Sequence, residues 1–150
     1  MRATIQKVSK AIVRVDGKPT ASINTGLLIL VGFENDEDEN DIPWMTGKIS
    51  NLRIFNDEND VMNLSIKQVK GDIIVVSQFT LHASTKKGNR PSYIKAAKPE
   101  IAIPLYETFV KQMELELDKV VGTGIFGANM EVELINDGPV TINIDSKNRE

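Results

Sequence analysis

Hydroxyl, amide and imidazole groups gather in one short stretch, Ser77-Gln78-Phe79-Thr80-Leu81-His82, which holds the only histidine of the chain. Histidine titrates near neutrality and is the usual general base. Residues two apart on a strand point the same way, so Gln78, Thr80 and His82 would share a face, with Ser77 and Phe79 on the other. A Thr80–His82 pair is one reading, and a polar cluster at the end of a strand is the other. With no cysteine in the sequence, thiolate nucleophiles, disulfides and cysteine-ligated zinc or iron–sulfur sites are excluded. No HExxH, GxSxG or GxxxxGK[ST] pattern occurs, so a conventional triad or metal hydrolase has no support, and neither a metal nor a cofactor is expected.

Two glycine-containing segments also carry chemical meaning. Gly122-Thr123-Gly124-Ile125-Phe126-Gly127 matches the GxGxxG loop that brings backbone against a pyrophosphate at a helix N-terminus. Here the next residues, Ala128 to Glu133, show a strand pattern, so no helix end would face the phosphates. Gly138-Pro139 joins the residue most tolerant of unusual backbone angles to the residue whose preceding bond adopts cis at modest cost. Such a pair can aim two carbonyl oxygens in one direction; an ordinary proline in a hairpin corner accounts for the same residues.

The elements that must position these groups emerge from periodicity. Arg2 to Phe33 is rich in Val, Ile and Thr and broken at Asp16-Gly17-Lys18-Pro19 and Asn24-Thr25-Gly26, which predicts three antiparallel strands. A helix is expected over 41–53, with Asp41 as its cap, Pro43 in its first turn, and Ile42, Met45, Ile49 and Leu52 on one face. Asn56 to Asp60 is a polar hairpin loop, and Met62 to Ile66 alternates as a half-exposed strand would. Asp72 to Leu81 predicts a central strand buried on both faces. Leu105, Phe109 and Met113 mark an amphipathic helix over 100–117, with Pro104 expected near its first turn. Met130 to Leu134 and Val140 to Ile144 then predict two strands around a corner at Asn136-Asp137-Gly138-Pro139.

With 150 residues, 41% of them hydrophobic and 26% charged, the chain suits one globular domain that buries roughly 70% of its unfolded surface. The expected architecture is α+β, with a single domain over 1–150 dominated by antiparallel, barrel-like sheet and covered by two main helices. No apolar run is long enough to span a bilayer. The alternating start, Met1 to Lys7, lacks the apolar core of a signal peptide, so the cytoplasm is the expected compartment.

The net charge of −3 opposes polyanion binding on average, but its distribution is uneven. Acids crowd Glu34, Asp36, Glu37, Asp38, Glu39 and Asp41, whereas His82 to Pro99 holds Lys86, Lys87, Arg90, Lys95 and Lys98 without an acid. The runs are either two solvated loops or a basic face on an acidic protein.

Taken together, the segments Met1 to Ser9, Asn51-Leu52-Arg53-Ile54-Phe55, Met62-Asn63-Leu64-Ser65, Ser77-Gln78-Phe79-Thr80-Leu81, Arg90-Pro91-Ser92, Phe126-Gly127-Ala128-Asn129-Met130 and Asn136-Asp137-Gly138-Pro139-Val140-Thr141 resemble the D-aminoacyl-tRNA deacylase family in order and spacing. The resemblance spans nearly the whole chain. It implies that fold, and ester hydrolysis of D-aminoacyl-tRNA, with glycyl-tRNA also a substrate; a non-catalytic tRNA-binding module of the same fold is the alternative.

It further implies a homodimer with active sites at the interface, where a glycine-cis-proline pair of one subunit enters the pocket of the other. Gly138 and Pro139 become a chirality filter. Ser77 and Gln78 would orient the terminal adenosine or the ester, Phe79 and Thr80 would offer backbone N–H groups to the oxyanion, and Thr80 would take a positioning role first, with nucleophile the option that the lack of an activating amine or lysine in the sequence disfavours. Phe126 and Met130 would line the pocket, and Lys86, Lys87 and Arg90 would contact acceptor-stem phosphates. Lys7 stands where the family usually has an arginine bracing the glycine-proline carbonyls, and His82 where tyrosine is common, which marks it as a variable flank.

Overall fold

The computed structural model describes residues 1–150. Three strands open the chain, β1 (Arg2–Val15), β2 (Lys18–Ile23) and β3 (Gly26–Gly32). Both β2 and β3 pair antiparallel with β1, against its second and first halves respectively. The connection between β1 and β2 is tight: Asp16 and Gly17 both take positive φ, 50° and 74°, a conformation that glycine adopts without steric cost.

Helix α1 (Asp41–Ser50) is shorter than the periodicity suggests, and the residue flanking its start is Asn40, which makes no side-chain capping bond. Asp41 is instead the first helical residue, where a carboxylate favours the positive end of the helix dipole and also meets Arg149 at 2.6 Å. After the small hairpin β4 (Phe55–Asn56) and β5 (Met62–Leu64), the alternating pattern does not continue as strand through Ile66. Ser65 caps a one-turn helix, α2 (Ile66–Val69), in a reciprocal capping box with Gln68.

Strand β6 (Asp72–Ser77) lies beside β3 in parallel register, with the two-residue β7 (Gly122–Thr123) parallel on its far side. The predicted central strand therefore stops at Ser77. Beyond Gln78 the chain enters a 3-10 turn, Phe79–His82, so the period-two argument that grouped Gln78, Thr80 and His82 does not hold there. Helix α3 (Pro99–Leu117) carries Pro104 in its second turn, on an exposed face where the carbonyl it leaves unpaired can reach water.

Strand β8 (Glu131–Asp145) replaces the expected pair of strands. Both halves pair with β1, Glu131 to Asn136 opposite Arg14 to Val8 and Thr141 to Asp145 opposite Gln6 to Arg2, and the residues between bulge out of register. An alternating pattern broken by Gly-Pro looks the same in sequence whether the chain turns back or bulges and continues.

Two cores explain why β3 and β6 are apolar at nearly every position. Leu27, Ile29, Val31, Ile73 and Val75 face Ile42, Met45 and Ile49 of α1 and Leu105, Phe109 and Met113 of α3. Leu28, Ile74 and Val76 face the other way, onto Val8, Ala11, Val13 and Ile23, where the second half of β1 and β2 fold over the sheet. The result is a nearly closed mixed sheet with helices on its outer face. Each fully buried Leu, Ile or Phe contributes about 1.5–3 kcal/mol.

Candidate functional site

A cavity of about 630 Å³ opens where β3 and β6 end. Ser77, Gln78 and Phe79 form one wall, Phe126 to Met130 with Val132 another, and Tyr93 and Ala96 to Lys98 with Ala102 the third. The sheet explains this convergence. Parallel neighbours β3 and β6 finish at the same level, and the chain leaving each is free to shape a mouth.

Gln78 is held by its own N–H, which donates to the Val31 carbonyl at 2.7 Å, while its side-chain Nε2 donates to Thr80 Oγ1 at 2.5 Å. Phe79 and Thr80 are the first residues of the 3-10 turn, so their N–H groups have no acceptor inside it. Phe79 is 55% exposed and makes an edge-on contact with Tyr93, centroids 5.1 Å apart. The arrangement offers an apolar recess beside a turn whose first two N–H groups have no acceptor within it and whose Thr80 hydroxyl is held by Gln78, features that suit a carbonyl whose oxygen gains negative charge.

Phe126 leans on Tyr106, centroids 5.9 Å apart. The Tyr106 hydroxyl donates to the Val75 carbonyl at 2.8 Å, and burial pushes its pKa up to about 12. Gly124 is the residue that lets Met130 in, since a Cβ there would overlap the Met130 sulfur. The GxGxxG segment thus serves packing: it crosses β7 and turns at Gly127, where φ is +77°, before β8.

Gly138 and Pro139 lie outside this cavity, on the exposed bulge of β8. Their peptide bond is cis, and Gly138 has φ +129°. Opposite the bulge, the Lys7 ammonium is 3.5 Å from Asp137 Oδ2 and 5.6 Å from the centroid of the Phe55 ring. Lys7 is buried among apolar strand residues, and only its tip meets a charge. Within one chain, then, the structure brings Ser77, Gln78, Phe79, Phe126 and Met130 together on the cavity wall, attaches Thr80 to them through Gln78 without placing it on that wall, and holds Lys7, Gly138 and Pro139 apart as a second group.

His82 does not line the cavity. Its ring is buried, with Nδ1 3.4 Å from Glu34 Oε1 and neither nitrogen hydrogen-bonded. Burial pushes the Glu34 carboxyl up, but the hydrogen bond and charge of Lys147 outweigh it and hold the group below its usual value. The acidic run is largely consumed in such pairings, Glu37 with the Met1 ammonium and Asp36 with Lys147 at 2.6 Å. Lys86, Lys87 and Arg90 are exposed, on the loop that leads into Tyr93. No three His, Asp or Glu side chains are placed to hold a metal ion.

Tyr93 lines the cavity although it did not stand out in the sequence, Lys98, read there only as part of a basic run, lines it too, and Gly124, noted for the GxGxxG pattern, supports the wall by packing against Met130. Tyr93 directly succeeds the Arg90-Pro91-Ser92 segment, the one signal that pointed near it.

A family model described as D-Tyr-tRNA(Tyr) deacylase matches residues 4–145. The chain is 67% identical to a D-aminoacyl-tRNA deacylase of Flavobacterium johnsoniae and 63% identical to one of Bacteroides fragilis, in each case over 150 residues and the full length of both proteins. Among solved structures it is similar to the c-Myc DNA Unwinding Element Binding Protein, with a TM-score of 0.90 and 35% identity over 97% of this chain and 98% of that one.

Proposed function

The chain belongs to the D-Tyr-tRNA(Tyr) deacylase family and hydrolyses the ester of D-aminoacyl-tRNA, and we propose that it does so in the cavity walled by Ser77 to Phe79 and Phe126 to Met130. The observation that supports this location is the apolar recess at the end of β3 and β6, walled by Gln78 and Phe79 where the 3-10 turn with the Gln78–Thr80 pair begins.

In this reading the aminoacyl ester enters with its carbonyl oxygen toward the Phe79 and Thr80 N–H groups. Water attacks the carbonyl carbon, the oxyanion is held by those donors, and the bond to the terminal ribose oxygen breaks, releasing amino acid and tRNA. An aminoacyl ester is already activated, so placement and oxyanion stabilisation supply most of what is needed; one such donor is worth about 10²–10³ in rate. Thr80 positions the substrate, since no lysine or free amine stands ready to activate it as a nucleophile.

Selectivity, in this reading, comes from a second subunit. The Gly138 and Pro139 carbonyls of one protomer face the α-carbon of the amino acid bound to its partner, accept the ammonium group and leave no room for a side chain in the L direction. Backbone atoms suit the task because they ignore which side chain arrives. A clash worth roughly 3–5 kcal/mol discriminates about 10²–10⁴-fold. Glycyl-tRNA, lacking a side chain, escapes that rejection and is hydrolysed too. Lys86, Lys87 and Arg90 contact the acceptor-stem phosphates.

The test presents the protein with D- and L-forms of one aminoacyl-tRNA and measures ester loss over time. The D-ester should disappear at least about 10²-fold faster; equal rates, or tRNA retention on a gel without hydrolysis, would refute the reading. The dimeric site is tested by mixing a Gly138→Val, Pro139→Ala protomer with one carrying a blocked cavity, Phe126→Trp. Each is inactive or unselective alone, and the mixed dimer regains one selective site only if the two parts act across the interface.

A further inference from the structure

The 3-10 turn that carries Phe79 and Thr80 is a single turn, and turns this short have little stability of their own. Two chains of polar contacts hold it, and both begin in the same three residues at the end of β8. Asp145 Oδ2 accepts from Arg2 Nε at 2.9 Å, and Arg2 Nη1 donates to the carbonyl of Leu81 at 3.0 Å. Lys147 Nζ donates to Glu34 Oε2 at 2.7 Å and to Asp36 Oδ1 at 2.6 Å, and Glu34 Oε1 lies 3.4 Å from Nδ1 of His82, the last residue of the turn. Between them, Ser146 bonds the Met1 ammonium at 2.7 Å and Glu37 Oε1 at 3.1 Å, and its N–H donates to the Met1 carbonyl at 3.0 Å. Asp145 Oδ1 also accepts the Lys147 N–H at 2.9 Å, which couples the two chains.

We propose that Asp145-Ser146-Lys147 is a clamp of positioning residues that sets the catalytic turn from behind, through Arg2 onto Leu81 and through Glu34 onto His82. None of the three touches the cavity. The physical requirement is precision: oxyanion donors lose most of their effect when displaced by a fraction of a hydrogen-bond length, and a one-turn element cannot supply that rigidity alone. The Gly32 backbone closes the arrangement, since a Cβ there would meet the Gln78 carbonyl at 2.5 Å and the His82 ring at 3.2 Å. The turn is thus pressed on the strand side and tied on the other. This inference rests on the assignment of hydrolysis to the Phe79–Thr80 turn.

The experiment uses the full chain with Asp145→Asn and Lys147→Met, measuring kcat and KM for D-aminoacyl-tRNA beside amide hydrogen exchange. Each variant should lower kcat about tenfold with KM within about twofold, and should speed exchange of the Leu81 and Ala83 amides while leaving β3 and β6 amides protected. Lys147→Arg should restore kcat, and Lys67→Met, which removes an unrelated ion pair with Glu116, should change nothing. Unchanged kcat and unchanged exchange overturn the clamp. Faster exchange with unchanged kcat shows the turn tied but not catalytic, which overturns the proposal by way of the hydrolysis assignment. General loss of protection in Asp145→Asn would be misfolding, in which case Lys147→Met and its arginine rescue decide.

Discussion

The side-chain Nε2 of Gln78 donates to Thr80 Oγ1 at 2.5 Å across the start of the 3-10 turn Phe79–His82. Groups joined in this way act as a unit, so their removal should not be additive. Thr80→Ala is expected to lower kcat by about tenfold, Gln78→Ala by a similar or smaller factor, and the double variant by no more than the larger single effect. Single-turnover rates would check this. A loss of about 10³ or more for Thr80→Ala alone would instead point to a nucleophile.

Lys7 meets the bulge through Asp137 at 3.5 Å. Lys7→Met should leave hydrolysis of the D-ester within about threefold while raising that of the L-ester by about tenfold, a change of about 1.4 kcal/mol in discrimination. Lys7→Arg should keep the selectivity. Parallel assays on the two enantiomers read the ratio directly.

Gly124 packs against the Met130 sulfur with no space for a Cβ. Gly124→Ala should therefore destabilise by about 1–3 kcal/mol, as overpacking does, and push Met130 into the cavity. Chemical denaturation gives the first number. A rise in KM larger than the fall in kcat would show that the cavity narrowed.

Two carboxyls behind the turn titrate low when folded. Burial raises Glu34 and Asp145, but hydrogen bonds from Lys147 and Arg2 respectively prevail. Because the folded values lie below the unfolded ones, the stabilisation is present above the ordinary carboxylate range and is lost as pH falls through the folded values. Unfolding free energy should drop between about pH 5 and pH 3, less steeply in Lys147→Met. Tyr106, raised to about 12 by burial, works at the other end. A raised folded value means that its stabilisation is intact below about 10 and is lost as pH rises toward 12. Tyr106→Phe should flatten that alkaline limb.

Lys86, Lys87 and Arg90 stand exposed on the loop that leads into Tyr93 of the cavity wall. If they meet duplex phosphates, replacing all three with glutamine should weaken tRNA binding and reduce the slope of log affinity against log salt by about 0.9 for each phosphate no longer neutralised. Hydrolysis of a short D-aminoacyl adenosine ester should not change.

Legibility in the sequence tracked the range of the forces involved. The strands of the first 33 residues, both main helices and the rejection of GxGxxG as a nucleotide loop were legible because period and turn chemistry are local. The limits of β6 were not. Ser77 to Leu81 continues the apolar strand pattern in composition, yet the strand stops where β3, its parallel partner, ends at Gly32. Likewise Asn136 to Val140 reads as a corner, because nothing in the sequence says that both flanks share β1 as partner.

By itself the sequence bounded the chemistry, since a chain without cysteine leaves oxygen and nitrogen groups to do the work. Its segments in order also determined the family. Only the tertiary structure decided the roles of individual polar residues. His82 looked available and is buried against Glu34; the acidic run could be read as a solvated loop and instead ties down Met1, Lys147 and Arg149. Ion pairs between residues more than a hundred positions apart leave no periodicity behind. They exist only once the sheet has brought β8 alongside β1, which is why the support of the Phe79–His82 turn could be seen in three dimensions and not along the chain.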